Sequence, residues 1–233
     1  MNPESVDSSC HAITLILPTK NEAEGIASII DGSRKFADEI IVVDGHSTDG
    51  TILEAEKAGA DKVFLDEGTG KGNAYQCGVR AATHEIIVFM DADGSHDPSI
   101  IPLLVAPIIA GQADFVVGSR IKGGSDELHG DVDNFLRAVG SGIITTAINL
   151  RFKSSITDAL NGYRAIRKSV FRQLELNCSD FDIEQHMICR ALGKKFRLVE
   201  VPAHEYRRKW GRSKLPTFKK AHLFLWRLCR DLF

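Results

Sequence analysis

Through the first half of the chain, apolar residues come in short runs that end in polar clusters. ITLILPTKN (13–21) closes on Pro, Thr, Lys and Asn, as a buried parallel strand leading into a polar loop does. Residues 22–37 carry Ile26, Ile29 and Ile30 at helical spacing. EIIVVDG (39–45) predicts a second buried strand. STDGTILEAEKAG (47–59) predicts a helix with Ser47 and Thr48 as cap candidates and Gly59 at its end. DKVFLDE (61–67) predicts a third strand, and KGNAYQCGVRAAT (71–83) a helix after a glycine-rich loop. EIIVFMDAD (85–93) is the most apolar strand, followed by a helix over 98–111 and a strand over 113–120. This alternation predicts an α/β fold, a mostly parallel sheet with helices on both faces. Ligands bind such sheets at the carboxyl ends of their strands, where the polar clusters 18–21, 44–49 and 91–93 fall.

Beyond residue 120 the period changes. KGGSDELHGDVD (122–133) is glycine-rich, acidic and without apolar period, and reads as a loop. Helices are expected over 134–150, 181–196 and 217–233, a strand over 197–207, and a loop, short strand and helix start over 157–174. Residues 1–11 read as a disordered tail, 12–215 as one domain and 216–233 as a C-terminal amphipathic helix. That helix sets Leu223, Phe224, Leu225, Trp226 and Leu228 among Lys219, Lys220, Arg227 and Arg230, which suits either a membrane surface or a docking face.

Composition excludes several classes. The 233 residues include 29 basic and 31 acidic ones, a net charge of -2, so no global field attracts nucleic acid. The five cysteines form no CxxC pair, and the eight histidines no HxxxH pair, which disfavours zinc sites and a disulfide framework. Gly68, Gly70 and Gly72 lack the spacing of a P-loop. The polar start does not read as a signal peptide, and no run reaches the roughly 18–20 apolar residues of a membrane span. The expected location is cytoplasmic, or peripheral on a membrane.

Three clusters carry candidate chemistry. In FMDADGSHDP, Asp91 and Asp93 stand two apart at the end of a strand, so in extended backbone they share a face. Carboxylates of this kind suit Mg²⁺ or Mn²⁺ bound together with substrate phosphates. Alone, the pair reads equally as a solvated acidic turn; the other strand-end clusters favour a site. In IIVVDGHSTDGT, Asp44 suits a sugar hydroxyl or base edge, while Ser47 and Asp49 suit a helix cap. In LPTKNE, the Pro18 carbonyl, Thr19 hydroxyl and Glu22 carboxylate could meet a nucleobase or ribose, or simply form a strand-to-helix loop.

Together, LPTKNE (17–22), VVDGHSTDGT (42–51), GKGNAYQCGVRAA (70–82) and DADGSHDP (91–98) resemble the family 2 glycosyltransferases, which have the Rossmann-like GT-A fold. The resemblance implies a hexosyltransferase using a nucleotide-diphosphate sugar and Mg²⁺ or Mn²⁺. It implies that Pro18, Thr19, Asn21, Glu22, Asp44 and Lys71 bind the nucleotide and that Asp91 and Asp93 hold the metal. VVGSR (116–120), FLRAVGSG (135–142), TDALNGYRA (157–165), FDIEQHM (181–187) and VPAHEYRRKWGRSKL (201–215) resemble the dolichyl-phosphate mannose synthase branch, whose acceptor is a polyprenyl phosphate. There Arg120, Arg137 with Ser141, and Arg208, Arg212, Ser213 and Lys214 match the positions that cradle the acceptor phosphate. The same resemblance turns Glu184 toward the active site, and implies inversion at the anomeric carbon. Two departures stand out: Ser95 occupies a position where this branch often has Gln, and where many relatives continue into transmembrane helices this sequence has KKAHLFLWRLCRDLF (219–233), which resembles an interfacial amphipathic helix.

Three other readings compete. A transferase acting on a glycan or glycolipid hydroxyl needs a base, for which Asp158, Asp182 and Glu184 are available. A nucleotidyltransferase would need a glycine-rich basic loop after the first strand, which LPTKNE is not. A nucleotide-sugar-binding homologue would bind without turnover.

Overall fold

The computed structural model describes residues 11–68, 70–127, 132–177, 180–210 and 217–232. Of the sequence expectations, the tail up to residue 10 and Arg212, Ser213 and Lys214 lie outside the described residues. The strands are β1 (Ile13–Thr19), β2 (Glu39–Asp44), β3 (Lys62–Leu65), β4 (Ile86–Phe89), β5 (Phe115–Ser119), β6 (Arg164–Arg167) and β7 (Leu198–Pro202). The helices are α1 (Ile26–Ser33), α2 (Thr51–Lys57), α3 (Lys71–Ala81), α4 (Ile101–Ile109), the single turn α5 (Arg120–Gly123), α6 (Val132–Phe152), α7 (Lys168–Gln173), α8 (Ile183–Gly193) and α9 (Thr217–Leu232).

The strands join one sheet in the order β3-β2-β1-β4-β6-β5-β7. β1 pairs in parallel with β2 and β4, β2 with β3, and β5 with β7. Only β6 runs antiparallel, between β4 and β5. The carboxyl ends of the parallel strands therefore share one edge with the segment entering β6. This mixed, mostly parallel sheet between helices is the expected α/β architecture.

Side-chain alternation gives the sheet two cores. Leu15, Leu17, Ile40, Val42, Ile86 and Val88 pack on α1 and α4, while Ile16, Ile41, Val43, Ile87 and Phe89 pack on α3, α6, α8 and α9. Runs of β-branched residues suit both faces at once, which is why these strands read as continuous apolar stretches. α3 lies close on β1 because Gly78 has no side chain: a Cβ there would fall 2.6 Å from Ile16 Cγ2.

Two local expectations change. α2 starts at Thr51 after Gly50, not at Ser47 or Thr48. Asp49 caps it loosely, accepting from the Thr51 amide at 3.1 Å and hydroxyl at 2.5 Å. The most apolar strand ends at Phe89, so Asp91 and Asp93 lie in the bend after β4. Their convergence comes from that bend, which turns on Gly94 at φ 79, and not from strand alternation. Trp210 seals the bend from outside; a Cβ on Gly94 would lie 2.7 Å from its ring.

Candidate active site

The carboxyl edge of the sheet opens into a cleft of about 1280 Å³. At its centre Lys71, the first residue of α3, bridges two acids, with Nζ 2.7 Å from Asp91 Oδ1 and 2.7 Å from Glu184 Oε1. Burial alone pulls the Lys71 pKa down, but Asp91 and Glu184 outweigh it and hold it well above the usual lysine value. Burial likewise pushes Asp91 up, and Lys71 and His96 outweigh it, leaving Asp91 at about 2. Asp93 receives Ser95 N–H at 2.9 Å and Ser95 O–H at 2.6 Å on Oδ1, and Arg208 at 2.7 Å on Oδ2. Ser95 thus orients Asp93. His96, buried and stacked on Tyr163 at 4.8 Å, accepts from the Asp91 amide at 3.3 Å through Nδ1. Its Nε2 then carries the proton toward Asn161 Oδ1 at 3.2 Å.

On the β1–β3 side the cleft is lined by Pro18, Thr19, Lys20, Glu22, Gly45, His46 and Asp66. Arg208 also approaches Glu22 at 3.7 Å. Two expected nucleotide contacts sit elsewhere. Asp44 is fully buried, receiving Thr19 O–H at 3.1 Å, Ser47 O–H at 2.5 Å and Ser47 N–H at 2.7 Å. The Asn21 side chain accepts from the Thr48 amide at 2.8 Å. Neither lines the cleft. Both hold the β1 and β2 loops together, a task that short polar side chains perform wherever two loops run side by side.

On the β5–β7 side Arg120 donates to Asp158 at 2.7 and 2.9 Å and to Glu205 at 3.2 Å. Burial opposes the Arg120 charge, but Asp158 and Glu205 outweigh it and raise its pKa. Burial raises Asp158, and Arg120 more than cancels that. Arg137 and Ser141, one turn apart on α6, line the same cleft, with Phe224 and Leu225 of α9 beyond them. Asp182, a candidate base, is turned away and pairs with Arg227 of α9 at 2.6 Å.

The cleft therefore gathers Pro18, Thr19, Glu22, Lys71, Asp91, Asp93, Arg120, Arg137, Ser141, Glu184 and Arg208. Several residues went unread. Asp66 follows β3 as Asp91 follows β4, and an acid at a parallel strand end was the signal available. Arg164 had no such signal. Fully buried, it donates to the backbone carbonyls of Asn161 and, at 2.8 Å, Glu184, tying the segment before β6 to α8. Burial lowers its pKa, so charge is held there at a cost that ordered carbonyls offset.

Residues 14–175 match the family model described as Glycosyl transferase family 2. Glycosyltransferase AglJ of Haloferax volcanii is 33% identical over 207 residues, covering 86% of this chain and 65% of its own length. A dolichol-phosphate mannosyltransferase of Pyrococcus furiosus is 33% identical over 213 residues, covering 87% of this chain and 59% of its own. The chain thus spans less than two thirds of the length of these relatives. Among solved structures, glucosyl-3-phosphoglycerate synthase of Mycobacterium tuberculosis with Mn²⁺, UDP and phosphoglyceric acid superposes with a TM-score of 0.75 at 22% identity. That likeness covers 95% of this chain and 78% of the other, and bears on the fold.

Proposed function

This chain belongs to glycosyl transferase family 2, and from that premise we propose that it moves a hexose from a nucleotide-diphosphate sugar, of the GDP-mannose or UDP-glucose type, to a polyprenyl phosphate, with inversion. One observation carries the choice of acceptor. Lys71 pairs with Asp91 and Glu184, Arg208 with Asp93 and Arg120 with Asp158 and Glu205. Lys71 and Arg120 hold Asp91 and Asp158 below the usual carboxylate range, and Glu184 is engaged by Lys71, so a hydroxyl acceptor finds little help here. A phosphate monoester is already largely ionised near neutral pH and needs none. Arg137 offers it planar, multi-donor contacts from one wall of the cleft, with the Ser141 hydroxyl one turn along and the Arg120 charge beside them.

The residues fit a divalent cation. Asp91 and Asp93 supply hard oxygen donors in one bend, and Gly162 leaves room beside Asp91, since a Cβ there would lie 2.9 Å from Asp91 Oδ2. Bound Mg²⁺ or Mn²⁺ would neutralise charge on the departing diphosphate. Lys71, Arg208 and the loop after β1 bind and orient the donor. The α6 face holds the acceptor opposite, and geometry of this kind supplies most of the rate enhancement.

The apolar end of the cleft, Phe224 and Leu225, continues onto exposed Trp226 of α9 and Ile143 of α6, a surface suited to a lipid chain at a membrane face. Among the described residues no helix is long and apolar enough to cross a membrane.

The test is nucleoside diphosphate release from a panel of GDP- and UDP-sugars with Mn²⁺ or Mg²⁺, with and without polyprenyl phosphate. Release that depends on the lipid phosphate, and falls about 100- to 1000-fold in Asp93→Asn, is expected. Release that ignores the lipid phosphate and rises with a glycan would move the reading to the hydroxyl acceptor, with Glu184→Gln the next variant.

A further inference from the structure

The wall of the cleft carries an acid beyond those assigned above. β2 and β3 are neighbours, with Asp44 in register with Leu65, so the acid that ends β2 and the acid that follows β3 lie at one corner. Asp44 is fully buried and its oxygens hold Ser47 and Thr19. Asp66 lines the cleft instead. Among the described residues its side-chain bonds all fall on one oxygen: Oδ1 receives the Gly68 amide at 2.7 Å and pairs with His46 Nε2 at 3.2 Å. Oδ2 faces Gly45, where a Cβ would sit 3.8 Å away. A side chain at position 45 would stand beside that oxygen; glycine leaves the approach clear. His46 adopts the left-handed region at φ 61, uncommon for a non-glycine residue, and its ring stays half exposed beside the opening.

We propose that Asp66, oriented by His46, reads the imide N–H of a uracil, making the donor a UDP-sugar. The proposal rests on the nucleotide-sugar reading above and deepens it. One oxygen with its lone pairs open matches one donor. Uracil presents a single ring N–H between two carbonyls. Guanine presents two adjacent N–H groups and would need both carboxylate oxygens, of which Oδ1 is already taken twice. Cytosine and adenine place an unprotonated ring nitrogen where the carboxylate wants a proton. A buried carboxylate left facing an acceptor forfeits its hydrogen bond and keeps its desolvation cost, which is how such a site discriminates.

Calorimetric titration of the wild-type chain with UDP, GDP and N3-methyl-UDP, each with Mn²⁺, tests this. UDP is expected to bind at least about tenfold tighter than GDP, and N3-methylation to cost about 10- to 100-fold, the range for a hydrogen bond to a charged group. Asp66→Asn should bring UDP down to the level of GDP, and His46→Ala should cause a smaller loss. N3-methyl-UDP binding as tightly as UDP, or GDP binding tighter than UDP, would overturn the base assignment while leaving a nucleotide site in place. Wild-type protein that binds none of the three nucleotides would overturn the nucleotide-sugar reading and this proposal with it.

Discussion

Lys71 shows how single residues gain their roles from partners far along the chain. In sequence it is one lysine after a glycine; in the fold it joins the bend after β4 to the first turn of α8. Arg120 does the same between the end of β5 and the segment entering β6, with Asp158 almost wholly buried beneath it. Removing one partner of such a pair leaves a charge without its counter-ion, and this costs more than the pair itself contributes. Asp158→Ala is therefore expected to lose about 3 kcal/mol, softened by the remaining Glu205 contact, and Asp158→Asn less, because it can still accept from the Arg120 amide. Urea midpoints at unchanged slope measure this. An Asp158→Ala midpoint equal to wild type would mean that Glu205 alone balances Arg120.

Secondary-structure elements are tied at the opposite edge from the cleft by another acid. Glu39 begins β2 and receives Thr14 of β1 at 2.6 Å, Lys62 of β3 at 2.7 Å and the Thr83 amide at 2.8 Å. Burial raises its pKa, but these four donors, the Thr83 hydroxyl included, win and lower it from 4.5 to about 2. Between those values the unfolded chain binds the proton and the folded chain does not. Stability from Glu39 is therefore complete above pH 4.5 and is lost as pH falls toward 2. Glu39→Gln should cost about 2–3 kcal/mol at neutral pH and flatten the acid limb of a stability-against-pH curve. An acid limb unchanged in the variant would assign that limb to Asp91 and the other depressed acids. The same edge was readable as strand starts, but not as an ionic knot, because the partners of Glu39 come from three separate segments.

At the scale of the whole molecule, α9 closes the second core. It packs on α6 and α8, with Leu228 buried, Arg227 held by Asp182 at 2.6 Å and by Asn177 at 2.9 Å, and Asp231 against His186 at 2.9 Å. The amphipathic pattern of this helix suited a membrane or a docking face, and the fold uses it as the latter while leaving Leu225 and Trp226 half exposed. Asp182→Ala strands Arg227 in an apolar seam, so α9 should open ahead of the rest. Hydrogen exchange over 222–232 should quicken while β1, β2 and β4 keep their protection. Equal protection of α9 in the variant would show that apolar packing alone seats it.

What the sequence determined by itself is the layered α/β plan and the edge at which chemistry occurs. Short apolar runs rich in β-branched residues and bounded by polar turns read as strands covered on both faces, and acids or polar clusters at their ends need no tertiary partner to be seen. Asp91 and Asp93 were legible in that way, while Lys71, Glu184 and Arg208 were expected only through motifs that resemble those of the family. Tertiary structure alone decided which of the strand-end acids face the cleft. Asp44 was drawn inward by Ser47 and Thr19, Asp182 was claimed by α9, and Asp66 was left at the wall. The insertion of β6 between β4 and β5, which carries Asp158 and Asn161 to the site, was likewise unreadable. Strand order and ion pairing depend on contacts between distant segments, and a carboxylate's role follows from the donor that reaches it first.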